Sequence, residues 1–208
     1  MLLNKRKMIS LIQDWLDEDL HYGDLTAPLF DTTPEKAWLI AKDHGVLAGI
    51  ELVSWVYECI DPMVTVTVLK RDGELINKGE TLVELEGKPS SLLAGERLSL
   101  NLLQRLSGIA TTTVRYVEQL KGTNTRLVDT RKTTPGLRHL EKYAVRMGGG
   151  FNHRFGLYDA AMLKDNHIKA AGGIMAAVTQ LRKLIPHTVK IEVEVETMAE
   201  VKEALTAQ

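Results

Sequence analysis

Apolar residues recur every three or four positions in several stretches of the chain, which is the spacing of a helix with one buried face. The first such run covers residues 8–20, where Ile9, Ile12 and Leu16 share a face and Gly23 then breaks the pattern. The same spacing predicts further helices at 52–60, 91–119, 137–147, 174–185 and 198–205. Helices therefore account for most of the predicted structure.

Alternation of apolar and polar residues marks the strands of the first half. Residues 36–42 and 46–50 are short strand candidates, and the run MVTVTVLKRDGELINKGETLVELEG alternates with turns at Asp72-Gly73 and Lys78-Gly79. Strands separated by such turns are typical of antiparallel hairpins. Beyond Ser107-Gly108 the pattern changes to βα units, with strands at 126–129, 159–164 and 189–195, each followed by a helix. We therefore predict two domains, at 1–107 and 108–208.

Composition narrows the class of protein. The chain has 208 residues, of which 44% are hydrophobic and 25% charged, as in ordinary globular proteins. The N-terminus has no long apolar segment, so neither a signal peptide nor a transmembrane helix is expected, and a membrane partner is not predicted. The single cysteine, Cys59, fits a reducing compartment, so we expect a cytoplasmic protein. A pI near 6.6 without an extended basic face argues against nucleic-acid binding.

Positive charge is concentrated in one region. Residues 126–169 contain nine Lys or Arg and four acids, a net charge of +5 in a chain whose formal net charge is −1. Segregated charge of this size needs either an anionic partner or a solvation reason. The predicted strands favour the first explanation, because ligands of parallel βα folds meet the C-terminal ends of the strands.

Cations stand at those predicted strand ends. Thr130, Arg131 and Lys132 directly follow one strand, Lys164 ends the next, and His153-Arg154 lies in the connection between them. Arginine offers a planar fork for carboxylate or phosphate, and lysine a mobile point charge. Solvated loop cations are the alternative for any single residue, but the shared position predicts a site for a small polyanion.

The third predicted strand, 189–195, alternates apolar residues with Lys190, Glu192, Glu194 and Glu196. Carboxylates pointing into a barrel need a metal, a hydroxyl or a cation, which makes Glu194 a candidate site residue; a solvated face is the alternative. The glycines at 148–150 could cradle a phosphate, but we favour a helix C-cap. We interpret His167 as structural, fixing the loop after the second strand. No CxxC, HExxH or GxGxxG motif occurs.

Four stretches together resemble the quinolinate phosphoribosyltransferase (nicotinate-nucleotide pyrophosphorylase) family. They are ERLSLNLLQRLSGIAT, DTRKTTPGLRHLEKYAV, GGGFNHRFGLYDAAMLKDNH and KIEVEVE. The resemblance implies an α/β fold with an N-terminal α/β sandwich followed by an open α/β barrel of the type II phosphoribosyltransferase kind, here incomplete. It implies a homodimer with shared active sites. It also implies a magnesium-dependent reaction of quinolinate with phosphoribosyl pyrophosphate, giving nicotinate mononucleotide, pyrophosphate and carbon dioxide in NAD biosynthesis.

The resemblance also implies roles for individual residues. Arg97 would reach a quinolinate carboxylate in the neighbouring subunit's site. Quinolinate would lie against Thr130 and be held by Arg131, His153 and Arg154, while Lys132 and Lys164 would serve carboxylate and pyrophosphate groups. Glu194 would contact ribose hydroxyls or Mg²⁺, which would be bound mainly through the pyrophosphate. Lys132, Lys164 and Glu194 are thus the predicted catalytic residues, with no metal ligand assigned.

The family continues past the point where this chain stops, so we expect this chain to be a fragment, and whether the fragment is itself active stays open. Two alternative functions also stay open. The paralogous ModD-like group associated with molybdenum transport shares the fold and many motifs. A non-catalytic module that binds polyanions without turnover is an alternative of a different class.

Overall fold

The computed structural model describes residues 3–30 and 32–207 and divides into two compact units, Met1–His153 and Arg154–Gln208. The predicted domain boundary near residue 107 stays a prediction, and the outer limits at residues 1 and 208 lie outside the described residues.

The first unit begins with a helix and an antiparallel sheet. Helix α1 (Lys5–Leu20) starts where the Asn4 side chain accepts a hydrogen bond from the Lys7 amide, an N-cap that supplies a partner for an otherwise unpaired amide. The strands are β1 (Glu35–Ile40), β2 (Gly45–Val46), β3 (Thr65–Val68), β4 (Leu75–Ile76) and β5 (Thr81–Gly87). They pair antiparallel in the orders β1-β5-β3 and β2-β4. The hairpins expected at the turns Asp72-Gly73 and Lys78-Gly79 are wrong, because β3 pairs with β5 and β4 with β2, so neither turn joins two paired strands.

Three further helices complete this unit: α2 (Ile50–Ile60), α3 (Pro89–Gln119) and α4 (Arg138–Met147). Two apolar clusters form its core. One joins α1, α2, α3 and α4 around Ile12, Leu52 and Leu106, and the other joins α2 to the sheet around Val53 and Val83. Helix α3 contributes to both clusters, so it is the element on which the other helices pack and from which α4 is positioned.

The second unit contains βα elements: β6 (Ala161–Leu163), α5 (Asp165–Ala171), α6 (Ile174–Leu184), β7 (Ile191–Val193) and α7 (Met198–Thr206). Strands β6 and β7 pair in parallel, as in an open α/β barrel. Ile191, Val193 and Val195 pack on the apolar cluster of this unit, which confirms the predicted apolar face of the third strand.

Three further local predictions are wrong. The strand expected at 46–50 is only the short β2, and helix α2 already begins at Ile50. The strand expected at 126–129 is reduced to one parallel bridge between Val128 and Phe151, in which the Asp129 amide donates to the Phe151 carbonyl oxygen at 3.0 Å. The pairing ends where the side-chain turn at Thr130 folds the chain back. The segment after β6, expected to be a loop, is the short helix α5. The Lys164 amide donates to His167 Nδ1 at 3.0 Å and so satisfies the helix start.

Candidate active site

The segment that follows Val128 lines a cleft of about 370 Å³ between α3 and α4. Thr130 Oγ1 accepts a hydrogen bond from the Lys132 amide at 3.0 Å, a side-chain turn that folds the segment back on itself. Thr130 and Lys132, two of the predicted site residues, therefore line the same cleft, and the Arg131 side chain beside them is exposed. The cleft is also lined by Arg105, Asp129, Thr133, Thr134, Glu141 and Lys142.

Asp129 is the hydrogen-bonding centre of this region. Its carboxylate pairs with the Lys142 ammonium from α4 and accepts bonds from the His153 amide at 2.9 Å and from Asn152 Nδ2 at 2.6 Å. Lys142 also donates to the His153 carbonyl oxygen at 3.0 Å. One buried carboxylate thus connects the beginning of the 130–134 segment to α4 and to the 152–153 segment.

A second ion pair closes the other side of the cleft. The Arg105 guanidinium from α3 pairs with the Glu141 carboxylate from α4 and donates to Thr134 Oγ1. Glu141 Oε2 accepts from the Thr134 amide at 3.1 Å. Burial raises the pKa of Glu141, but the bonds from Arg105 and Thr134 outweigh burial and lower the pKa below its usual value. The carboxylate therefore stays charged and holds the segment at Thr134.

Helix α4 is itself fixed at two places. The Tyr143 hydroxyl donates to Asp72 Oδ2 at 2.6 Å, and Asp72 Oδ1 accepts from the Ile50 amide at 2.9 Å. At its C-terminus, a Cβ on Gly148 would lie 2.4 Å from the Ala110 carbonyl oxygen, so only glycine permits this close approach to α3. Gly148 caps α4 and Gly149 has φ +82°, which agrees with the C-cap that we favour for the glycine triplet.

Much of the positive charge in 126–169 has a structural use. Arg126 and Arg146 lie 5.2 and 4.8 Å from the centre of the Phe151 ring, a distance suited to cation–π attraction. Arg138 donates to Thr133 Oγ1 at 3.1 Å, and Lys142 is committed to Asp129 and the His153 carbonyl. The charge density therefore has two origins, and only part of it is exposed for a ligand.

The second unit brings two predicted residues together. Lys164 follows β6, Glu194 follows β7, and their charged groups are 3.3 Å apart. Parallel pairing explains the encounter, because Leu163 opposes Val193 and the Glu194 amide donates to the Leu163 carbonyl at 2.9 Å. Arg154, also in this unit, donates from Nη1 to the Ala160 carbonyl oxygen at 2.9 Å. Lys164 and Glu194 thus lie at adjacent strand ends, where ligands of parallel sheets bind.

Some site residues are placed elsewhere or were missed. Arg97 is exposed on α3, eight residues before Arg105, and does not line the cleft. Arg105 and Lys142 were not predicted; the signal that could have pointed to a nearby cation is Asp129, an acid directly after an apolar run. Within the described residues, no group of three or more His, Cys, Asp or Glu side chains could hold a metal ion.

Fold and cleft together define an α/β protein in which cations and a carboxylate lie at the ends of βα units. Comparison with known families is more specific. The chain matches the quinolinate phosphoribosyl transferase N-terminal domain over residues 24–107 and the C-terminal domain over 109–208. The chain belongs to the quinolinate phosphoribosyl transferase family.

Relatives agree with this assignment. A probable nicotinate-nucleotide pyrophosphorylase (carboxylating) of Bacillus subtilis is 46% identical over 206 residues, covering 99% of this chain and 71% of the relative. The Synechocystis protein of the same name is 46% identical, covering 95% of this chain and 67% of the relative. The crystal structure of NadC from Streptococcus pyogenes matches with a TM-score of 0.95 and 44% identity, over 100% of this chain and 74% of that one. Neither the ModD-like nor the binding-module alternative gains support from these matches.

No helix among residues 3–30 and 32–207 is both long enough and apolar enough to cross a membrane.

Proposed function

We propose that this chain transfers the phosphoribosyl group of phosphoribosyl pyrophosphate to quinolinate, giving nicotinate mononucleotide, pyrophosphate and carbon dioxide. The observation that carries the proposal is the 129–132 segment of a quinolinate phosphoribosyl transferase domain, folded along a cleft with Thr130 and Lys132 on its wall. Quinolinate is a dicarboxylate and the second substrate bears phosphate and pyrophosphate. Both need converging cations in a partly desolvated site.

The proposed roles follow the chemistry of each side chain. Arg131, Arg154 and His153 bind quinolinate, with arginine forks matching carboxylates, while Lys132 serves a carboxylate or the pyrophosphate. The ring nitrogen of quinolinate attacks the anomeric carbon as the bond to pyrophosphate breaks, and cations stabilise the departing charge. The bond from ring carbon 2 to its carboxylate then breaks, its electrons pass to the cationic ring, and a proton replaces carbon dioxide.

The Lys164–Glu194 pair is the proposed site of the phosphoribosyl side of the reaction. Its side chains are 49% and 59% exposed, so the ammonium and the carboxylate can exchange each other for pyrophosphate and ribose hydroxyls at little cost. We infer that Mg²⁺ would be held mainly by the pyrophosphate, with Glu194 as the carboxylate that the protein offers, since Mg²⁺ commonly uses one or two carboxylates together with substrate phosphates. When bound, Mg²⁺ would neutralise pyrophosphate charge.

A homodimer in the cytoplasm is the assembly that we propose. Arg97 supports a shared site, because it is exposed on α3 and separate from the cleft of its own chain. In a homodimer, the active site of the partner subunit would bring a quinolinate carboxylate within reach of Arg97. The single cysteine supports a reducing compartment.

Binding and turnover by the same preparation test the proposal. Quinolinate binding is measured by isothermal titration, and pyrophosphate release is followed with both substrates and Mg²⁺. Arg131→Lys should weaken quinolinate binding by about 1.5–3 kcal/mol, because an ammonium cannot reproduce a charge-assisted fork. Lys36→Met, which removes an exposed cation on β1, is the matched control and should bind like the parent. Parent-like binding by both Arg131→Lys and Arg131→Ala would refute this assignment.

The shared site has its own test. Arg97→Ala and Lys132→Ala subunits, each inactive alone, should recover part of the activity when mixed, because a hybrid dimer would contain one intact site. Absence of recovery after verified subunit exchange would contradict it.

A further inference from the structure

Lys142 is a wholly buried lysine, 0% exposed, for which the sequence predicts no role. Its ammonium pairs with Asp129 and donates to the His153 carbonyl oxygen at 3.0 Å. The Asp129 carboxylate in turn accepts from the His153 amide at 2.9 Å. Both peptide groups of His153, before and after its Cα, are therefore bonded to the two members of a single ion pair.

The same ion pair also holds the 130–132 segment, the other segment that is predicted to bind substrate. Asp129 immediately precedes Thr130, and the side-chain turn from Lys132 to Thr130 begins at that point. The carboxylate holds its own backbone relative to α4, because its partner belongs to that helix. Helix α4 is in turn fixed by Tyr143 to Asp72 at 2.6 Å. Lys142 thus connects a fixed helix to both segments 130–132 and 152–153.

We propose that Lys142 is a positioning residue that sets the geometry of these two substrate-binding segments. The inference rests on the proposed function. Lys142 lies at the wall of the cleft, but it is wholly buried and its ammonium is committed to Asp129 and His153, so we assign it a positioning role and no direct contact with substrate. Its charge is required, since an apolar side chain of equal volume would leave the His153 carbonyl and the Asp129 carboxylate without this donor.

The test distinguishes a change in the position of the two segments from a loss of folding. Lys142→Met alone leaves Asp129 charged and without its cation, so it is combined with Asp129→Asn, which removes that charge. Lys142→Arg keeps the positive charge, so we expect it to fold even if the double variant does not, and it serves as a second variant. The control is Lys70→Met, which breaks a partly exposed 2.6 Å pair with Glu80 in the same unit. Each protein is melted, titrated with quinolinate, and examined by hydrogen exchange at the His153 amide and along α3.

We expect the double variant to melt within a few degrees of the parent, to bind quinolinate about tenfold more weakly, and to exchange the His153 amide about tenfold faster. Protection along α3 should be unchanged, and Lys142→Arg should show the same two changes to a smaller extent. Lys70→Met should match the parent in affinity and exchange. Parent-like affinity and parent-like His153 protection in a folded double variant, or in Lys142→Arg if the double variant does not fold, would overturn the proposal.

The exchange measurement also separates the two hypotheses. If the parent itself fails to bind quinolinate, the proposed function is refuted, whereas faster His153 exchange would still support the positioning role of Lys142. Unchanged exchange alongside normal parent binding would refute only the positioning role.

Discussion

Two lysine–carboxylate pairs in this chain differ chiefly in exposure. In the first unit, the Lys142 and Asp129 side chains are 1% and 8% exposed. In the second unit, the Lys164 and Glu194 side chains are 49% and 59% exposed. The buried pair is hydrogen-bonded to the backbone amide and carbonyl groups of His153, while the exposed pair lies at adjacent strand ends.

The difference separates two uses of charge. A buried ion loses its hydration, so the removal of one partner leaves an uncompensated charge and is strongly destabilising. An exposed pair keeps most of its hydration and contributes little, so either member can change partner. We conclude that the first pair fixes the backbone, whereas the second is suited to binding a ligand.

The largest expected effect comes from breaking the buried pair. Lys142→Met should lower the free energy of unfolding by about 3–5 kcal/mol, because Asp129 would stay charged and buried without its cation. Urea denaturation at neutral pH measures this loss. A change below about 1 kcal/mol would show that the pair does not fix the backbone at Asp129 to α4.

The Arg105–Glu141 pair is intermediate in exposure between the buried and the exposed lysine–carboxylate pairs. Glu141→Gln should destabilise the protein by about 1.5–3 kcal/mol at neutral pH, because a charge-assisted contact to Arg105 becomes neutral. The folded pKa of Glu141 is lowered from 4.5, so its stabilisation is complete above that pH and is lost as the pH falls through the folded pKa. Urea titrations between neutral and acid pH should therefore converge for parent and variant. A constant difference at all pH values would contradict the lowered pKa.

Ser99 gives a reference for burial without a partner. It lies on α3 with 0% exposure, and its hydroxyl has no hydrogen-bond partner among the described residues. Ser99→Ala should raise the free energy of unfolding by about 1 kcal/mol, because an unsatisfied hydroxyl is removed and alanine favours helix. Thermal melting measures the gain, with Ser107→Ala as the control that loses a bond to the Ala48 amide. Destabilisation by Ser99→Ala would indicate an unrecognised partner.

The smallest effect on stability is expected at the exposed pair. Lys164→Met should change the free energy of unfolding by less than about 1 kcal/mol. Binding of inorganic pyrophosphate should nevertheless weaken by about tenfold, since a point charge at the strand end is lost. Lys169→Met, which breaks the 3.7 Å pair with Asp165 on α5, is the matched control. A large loss of stability with unchanged pyrophosphate binding would reverse the comparison between the two pairs.

Local patterns were sufficient to predict the longer helices, though not α5, and the parallel βα order of the second unit. Period and alternation placed α3 and α6 within two residues of each observed end. They also placed Lys164 at the end of its strand, whereas Glu194, predicted within the strand 189–195, directly follows β7. Family resemblance added the expected roles of Arg131 and Arg154. Those roles stay predictions.

Contacts between distant residues could not be predicted in the same way. Arg105 meets Glu141 across 36 residues, and Tyr143 meets Asp72 across 71, so no local spacing indicates either contact. Lys142 looked like one cation among nine in its region, although burial gives it a different use. Charge counts do not distinguish cations that bind the protein itself from those left for a ligand.

The bond between Tyr143 and Asp72 has a consequence for tolerance to pH. Burial and the Asp72 carboxylate raise the pKa of Tyr143 well above its ordinary value of 10.0, so the hydroxyl remains a donor in moderately alkaline solution. Its stabilisation is present below the unfolded pKa and disappears only when the pH rises through the higher folded pKa. The Glu141 contact, by contrast, fails in acid. Acid should therefore weaken the attachment of α4 at Glu141, whereas moderately alkaline solution leaves its attachment at Tyr143 intact. The cleft should consequently tolerate a rise in pH better than a fall.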